Sequence, residues 1–347
     1  MTTPGYEGYA RLPEDLLKDL LDGAGDVVNQ VKSLLAPALE EREGLRRALQ
    51  DLGLVRRYKE SKTKSICGID GGFAVERTAA VDLLLSVAVG VEGLGGESTR
   101  WDSTQYLWWA SVARHAPDTE RLARGVMVAQ ELAVLANAPH EFRILDGSHL
   151  TLVIQLNAAL TAFSVDIREE AKRVWEKLET IKTLGAASRE VGIVAIPKYD
   201  SSRMITELLE KALGRPFPGD DKHLLGLLLE PGEFVLPQTV PADPWDSLHF
   251  DARTHEDQII AQQLELAIEP LKQRKIRFTY FKPTEFSPAF RIELKDGVGE
   301  TDLNSLFSTL ANQITGPFVR EPFPQYLADV MAKSVGLGLT ALQAAVQ

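Results

Sequence analysis

Ile66-Cys67-Gly68-Ile69-Asp70-Gly71-Gly72 places an acid at the end of an apolar run and follows it at once with two glycines. The same arrangement returns at Ile144-Leu145-Asp146-Gly147-Ser148. A short apolar run closed by Asp-Gly reads as a buried strand whose C-terminal tip turns sharply, so that the carboxylate faces a crevice rather than the core. Asp-Gly at a strand end is also an ordinary turn. Two such tips, with Glu131 on a helix between them, are placed to hold divalent cations.

Outward from these motifs the chain alternates strands and helices, which predicts an α/β fold with a mixed sheet flanked by helices. Ile66–Ile69 and Ala79–Val91 read as the first two strands, with a third near Gln105–Ala110. Gly192-Ile193-Val194-Ala195-Ile196 is another buried strand, and later strands fall near Ile276–Lys282 and Phe290–Leu294. Just beyond Ile196 stands Pro197-Lys198-Tyr199-Asp200-Ser201-Ser202-Arg203. Lys198 there suits a phosphate or an attacking water; Asp200 suits either a ligand or, the favoured reading, a cap for a helix over Met204–Leu213.

Residues 119–136 form a helix capped by Asp118 or Thr119. From Gly125 to Ala136 every residue is apolar or small except Gln130 and Glu131. A helix apolar nearly all round is buried, and a lone carboxylate on it needs a partner, a proton or a metal. The alternative is that Glu131 points to solvent, opposite the stripe Leu122, Val126, Ala129 and Ala133. Residues 11–55 look helical throughout, as amphipathic helices broken around Gly23–Gly25 and Pro37 that pack either on their own domain or on a second copy of the chain. A helical pair over Thr151–Ala162 and Ile167–Leu184 uses Trp175 for packing, His255–Ile268 is helical, and the Pro-rich turn Pro317–Pro324 launches a last helix, Gln325–Val335. Residues 214–250, rich in Pro, Gly and Asp, read as a peripheral loop-and-hairpin insertion. The predicted organisation is an N-terminal helical segment (1–60), one main domain (61–337) and a tail (338–347).

Composition sets the frame. At 347 residues, 44% hydrophobic and 25% charged, the chain has the make-up of an ordinary soluble protein with a large core. Cys67 is the single cysteine, so an intramolecular disulfide framework and a multi-cysteine metal site are excluded. Cys67 itself reads as a small core residue. Without a basic leader or an apolar stretch of membrane length, cytoplasmic residence and no membrane partner are expected. The net charge of −11 by itself opposes a nucleic-acid partner, yet two basic tracts stand out: Arg56, Arg57, Lys59, Lys62 and Lys64, and then Lys272, Arg274, Lys275 and Arg277 before Phe278-Thr279-Tyr280-Phe281-Lys282. Each is either a solvated face or a DNA contact.

Phosphodiester hydrolysis by the two-metal route holds cations roughly 3.5–4 Å apart on oxygen ligands. Hard ions such as Mg²⁺ or Mn²⁺ keep several waters, so three or four carboxylates from separate elements suffice. Strand-tip acids with one helical acid are the arrangement of the ribonuclease H-like fold, and the spacing of Asp70, Glu131 and Asp146 is compatible with it.

Over residues 60–337 the chain resembles the NurA family of DNA nucleases. Asp70-Gly71-Gly72 matches the family's motif after its first strand, Glu131 its acidic helix, Asp146-Gly147-Ser148 its second Asp-Gly-Ser, and Lys198 resembles its Lys after a later strand. Tyr280-Phe281-Lys282 and Arg291-Ile292-Glu293-Leu294 look like its late strands. Pro322-Phe323-Pro324-Gln325-Tyr326-Leu327-Ala328-Asp329-Val330-Met331-Ala332-Lys333 aligns with its C-terminal signature, except that Asp329 stands where the family usually has histidine. An Asp still ligates a hard cation, but a role requiring imidazole is put in doubt. His149 is the nearby histidine, read as a surface or substrate-lining residue.

The resemblance implies a Mn²⁺- or Mg²⁺-dependent deoxyribonuclease acting 5′ to 3′ on DNA ends, with single-strand endonuclease activity also in view. It implies a homodimer docked on a HerA-type hexameric ATPase, in end resection and repair or in defence. Asp70 and Asp146 are then the principal ligands, and Glu131 and Asp329 complete the site. Lys198 and Tyr280 hold the scissile phosphate, with Lys282, Arg56 and Arg57 as further phosphate contacts. Two rival readings are a sugar kinase of the actin-like fold, whose phosphate loop resembles Gly68-Ile69-Asp70-Gly71-Gly72, and a catalytically silent adaptor of a DNA motor.

Overall fold

The β-rich stretch opened by Ile66 forms the middle of one mixed sheet of ten strands among the described residues. The structure is a computed structural model and describes residues 14–95, 101, 105–199, 201–217, 219–240, 247–273, 275–316 and 320–346. In chain order the elements begin with α1 (Glu14–Glu40), α2 (Arg42–Asp51), β1 (Val55–Arg57), β2 (Ile66–Arg77), β3 (Asp82–Glu92) and β4 (Tyr106–Ala113). Next come α3 (Thr119–Asn137), β5 (Phe142–Asp146), α4 (His149–Leu160), α5 (Val165–Lys177), α6 (Thr180–Arg189) and β6 (Ile193–Ile196). Then follow α7 (Met204–Leu213), α8 (Asp221–Leu228), β7 (Glu233–Val235), β8 (Gln238–Thr239) and α9 (His255–Gln273). The chain closes with β9 (Arg277–Lys282), β10 (Phe290–Leu294), α10 (Glu300–Ala311), α11 (Phe323–Lys333) and α12 (Val335–Val346).

The strands lie in the order β1-β7-β9-β10-β6-β5-β2-β3-β4, with β8 pairing β9 from the side. β2, β3 and β4 form an antiparallel meander, and β5 and β6 extend it in parallel on the other side of β2. This is the expected ribonuclease H-like mixed sheet. The parallel strands are near-continuous apolar runs because both of their faces are covered. α3, α4, α5, α6 and α9 build the main core on one face, around Ile69, Leu132, Leu145 and Ala195. On the other face α10 packs against Ile66, Ile144 and Ile292, and α12 closes on Leu83 and Leu85 through Val335 and Leu339. Cys67 and Trp175 are buried core residues as expected, with the Trp175 indole donating to the Gly125 carbonyl.

The two Asp-Gly motifs turn out to differ. Asp146 does end its strand, and Gly147 takes φ +89° in the turn that follows. Asp70 sits inside β2, which continues to Arg77 because Gly71-Gly72-Phe73-Ala74-Val75 keep their pairing with β3. The glycines are there for close approach instead. Side chains alternate along a strand, so Gly68, Asp70 and Gly72 share one face. A Cβ on Gly68 would lie 2.6 Å from the backbone of Pro324 and Gln325, and one on Gly72 would collide with the Ala332 carbonyl. α11 therefore rests directly on β2. On the opposite face a Cβ at Gly71 would meet Glu131 Oε1 at 2.5 Å. A phosphate-loop kinase would need an open turn here; β2 offers a paired strand walled on both sides.

Other expectations are corrected. α1 runs unbroken through Gly23–Gly25 and Pro37, and the N-terminal helical run gives way to β1, an edge strand of the sheet that pairs with β7. The expected peripheral insertion 214–250 instead contributes β7 to the sheet, between β1 and β9, and β8 alongside β9. The helical pair is three helices, because Glu179 takes the left-handed conformation (φ 51°) and separates α5 from α6. Residues 338–346 are no tail but part of α12. Asp200, Arg274 and Pro317 to Val319 lie outside the described residues.

Gly72→Ala tests the seat of α11. With a carbonyl rather than a flexible side chain in the way, overpacking of about 1–3 kcal/mol is expected. A urea midpoint lowered accordingly checks it, and an unchanged midpoint would show that α11 has room to shift.

Candidate metal centre

Four elements meet at the middle of the sheet. β2 supplies Asp70, the tip of β5 supplies Asp146, α11 supplies Asp329, and the segment after β6 supplies Lys198. One carboxylate oxygen from each of Asp70, Asp146 and Asp329 lies within 4.8 Å of the others. The Lys198 ammonium stands among them, with Nζ 2.9 Å from Asp146, 3.6 Å from Asp70 and 3.5 Å from Glu321, and hydrogen-bonded to Asp329. Lys333, one turn beyond Asp329, donates to its second oxygen at 2.6 Å. Glu131 reaches the site from the far face of β2, past the space that Gly71 leaves open, and is buried. It does not point to solvent.

Charge crowding shows in the protonation of these groups. Burial and then the Asp146 carboxylate push Asp70 up to about 8, in spite of Lys198. Burial, followed by Asp70 and Asp146, holds Glu131 well above the usual carboxylate range, and burial raises Glu321 as well. Burial opposes the ionised form of Asp329 too, but hydrogen bonds from Lys198 and Lys333 more than offset it and its pKa falls. Lys198 is raised because its acidic neighbours outweigh its own desolvation. The donor set is all oxygen, gathered from rigid elements around a point where a cation is favoured. It fits a hard divalent ion, which Asp70, Asp146 and Asp329 would hold with Glu131 and Glu321 at its margin.

The family comparison agrees with this geometry, since the NurA domain model matches residues 64–330. The chain belongs to the NurA family. The structure is similar to the NurA nuclease from Sulfolobus solfataricus, with a TM-score of 0.58 at 14% identity over 96% of this chain and 97% of that one. It is also similar to a NurA crystal structure with manganese (TM-score 0.50, 13% identity, 93% of this chain and 98% of that one). A third similar structure is a NurA bound to dAMP and manganese (TM-score 0.51, 11% identity, 88% of this chain and 92% of that one). At such identities the likeness is one of fold. The comparison with curated proteins finds no match.

Within this NurA fold Asp70, Glu131, Asp146, Lys198 and Asp329 come together, and other candidates do not. Tyr280 is fully buried among Phe278 and its neighbours beneath α2, α7 and α8, so it cannot reach a phosphate in solvent. Lys282 is half-buried, donates to the Gly226 carbonyl, and has its pKa lowered by burial and then by Arg42. Arg56 and Arg57 lie on β1, at the far edge of the sheet; Arg57 is held by Glu230 and the Pro231 carbonyl. Within the basic tracts Lys64 pairs with Asp302, Lys272 with Glu265 and Arg277 with Asp296. His149 is neither superficial nor substrate-lining. It is buried, and that burial, with Lys295 close by, keeps it neutral far below its ordinary pKa.

Two residues of the site escaped the sequence reading. Glu321 faces Lys198 from the turn before α11, and Gln325 donates both to Asp146 Oδ1 and to the Ile196 carbonyl at 2.8 Å. Gln325 carried a signal: it is the polar member of the buried stripe Pro324, Gln325, Ala328 and Ala332, the same kind of intrusion that marked Glu131.

A carboxyl whose folded pKa exceeds its unfolded value near 4 binds its proton more tightly when folded, so stability falls as pH rises through the interval between them. For Asp70 that interval runs from about 4 to about 8. In chelator, the stability advantage of Asp70→Asn over the parent should therefore widen from pH 5 to pH 8. Urea titrations that leave the difference flat would contradict the shifted carboxyl.

Proposed function

We propose that this NurA-family chain is a metal-dependent deoxyribonuclease. The observation that carries the reading is the convergence of Asp70, Asp146 and Asp329 within 4.8 Å around the Lys198 ammonium. The manganese and dAMP of the similar structures support it, as a hard cation and a mononucleotide are what such a site would meet. Mn²⁺ is favoured and Mg²⁺ suits the same oxygen set; bound there, two cations would polarise the phosphoryl oxygen and offset the charge that develops on it.

The chain's own residues do the rest. Asp70, Asp146 and Asp329 fix the reacting centre on two strands and one helix. Glu131 and Glu321, both poised to hold protons, are groups to give or take one beside the scissile bond. Lys198, released from the acids when a divalent cation takes up their charge, turns to the scissile phosphate. Asp329 works as an acid where the family resemblance expects histidine, and its presence inside the cluster speaks against a decayed, silent adaptor.

The finer reading comes from the family resemblance: 5′ to 3′ digestion of DNA ends, with single-strand endonuclease activity, beside a HerA-type hexameric ATPase, in end resection and repair or in defence, in the cytoplasm. No helix among the described residues is long and apolar enough to cross a membrane. Homodimer formation has support in unpartnered apolar side chains, since Leu16, Leu17, Leu20 and Leu21 on α1 and Tyr106 and Trp108 on the edge strand β4 are exposed.

Asp70→Asn and Asp146→Asn should each cut digestion of end-labelled DNA in Mn²⁺ by about 10²–10³-fold, the scale set by loss of a charge-stabilising group at a reacting centre. Circular dichroism should stay unchanged. Undiminished digestion by either variant would sink the assignment, and comparison of 5′- and 3′-labelled substrates, with and without the motor, reads the polarity.

A further inference from the structure

We infer that Glu293, a buried carboxylate on β10, is a positioning residue for Asp146. The inference rests on the nuclease reading for the cation that Asp146 would hold. Asp146 is followed by Gly147, whose φ of +89° is open to glycine at little cost and makes the junction a permissive hinge. The direction of the Asp146 carboxylate therefore depends on what anchors the residues after the hinge.

Glu293 supplies that anchor. Its Oε2 accepts from the Ser148 hydroxyl at 2.7 Å and from the His149 backbone N–H at 3.2 Å. Ser148 is at the same time the N-cap of α4, accepting from the Leu150 N–H. The anion thus sits against the N-terminus of a twelve-residue helix, where the macrodipole favours it. Arg291, 3.2 Å from Oε1, balances its charge. β10 is itself fixed to the sheet, since Glu293 lies opposite Ala195 of β6, and Ala195 lies opposite Leu145, the residue before Asp146. Fully buried Lys295 ties β10 to the Glu190 and Ile193 carbonyls as well. One edge of the Asp146 turn is held by the strand and the other by Glu293, while Gln325 grips the carboxylate directly. A buried carboxylate is costly to desolvate, and these contacts account for its presence so close to the acid cluster.

Mn²⁺ titration by calorimetry, on the full chain without DNA, tests this. Removal of outer-layer partners of metal ligands weakens affinity roughly 10–100-fold, and Glu293→Ala is expected to raise the Mn²⁺ Kd to that extent. Glu293→Gln, which keeps an acceptor oxygen for Ser148 and His149, should recover most of it. Ser148→Ala should weaken binding too, and the double variant should be no worse than Glu293→Ala, the non-additivity of a shared contact. A role confined to capping α4 predicts lower Tm in Glu293→Ala, Ser148→Ala and the double variant with an unchanged Kd, and that result overturns the proposal. If Glu293→Ala does not fold, Ser148→Ala decides by the same criterion. A parent that binds no Mn²⁺ overturns the nuclease reading itself, a failure distinct from equal binding by parent and variants.

Discussion

Carboxylates drawn together in a half-buried site repel one another, and two unit charges 4 Å apart near a protein surface interact by about 4 kcal/mol. Asp70, Asp146, Glu321 and Asp329 all lie within 4.0 Å of one ammonium, that of Lys198. The fold tolerates the cluster because Lys198 offsets part of the charge, and because Asp70, pushed up to about 8 by burial and the Asp146 carboxylate, can carry a proton at neutral pH. Lys198 can be there only because β6 lies beside β5, which lies beside β2, so that three neighbouring strands deliver their side chains to one spot. The electrostatic problem and its solution are both products of strand order.

The second dependence is steric. α11 carries one of the three clustered aspartates and can do so only by lying against β2 at backbone distance, which Gly68 and Gly72 permit. Gln325 then joins the helix to both parallel strands at once through Asp146 and the Ile196 carbonyl. The glycines beside Asp70 act through what they omit, leaving room on one face for a helix and on the other for Glu131.

Much of this was legible in the sequence. Apolar runs revealed the central strands, and the intrusion of one acid into an apolar helix marked Glu131. Lys198 stands out because it follows directly on a buried strand, and Asp329 only through its place in the family's C-terminal signature. The reading failed where one local pattern serves two structures: Asp-Gly signals a turn at Asp146, while at Asp70 the glycine answers to packing that only the tertiary structure defines. Tyr280 and Lys282 failed for a similar reason. An alternating strand shows which residues share a face but not whether that face meets solvent or the helices α2, α7 and α8. Glu321 left no periodic trace because it precedes its helix.

The three clustered aspartates are scattered along the chain at positions 70, 146 and 329, and the last arrives on a helix seated by close backbone contact. Proteins open locally at a free energy below that of global unfolding. Lifting α11 away from β2 would disperse the ligand set while the rest of the sheet stayed intact. Completeness of the acid cluster is in this sense a gauge of one helix's docking, and the site exists only in molecules whose architecture is complete.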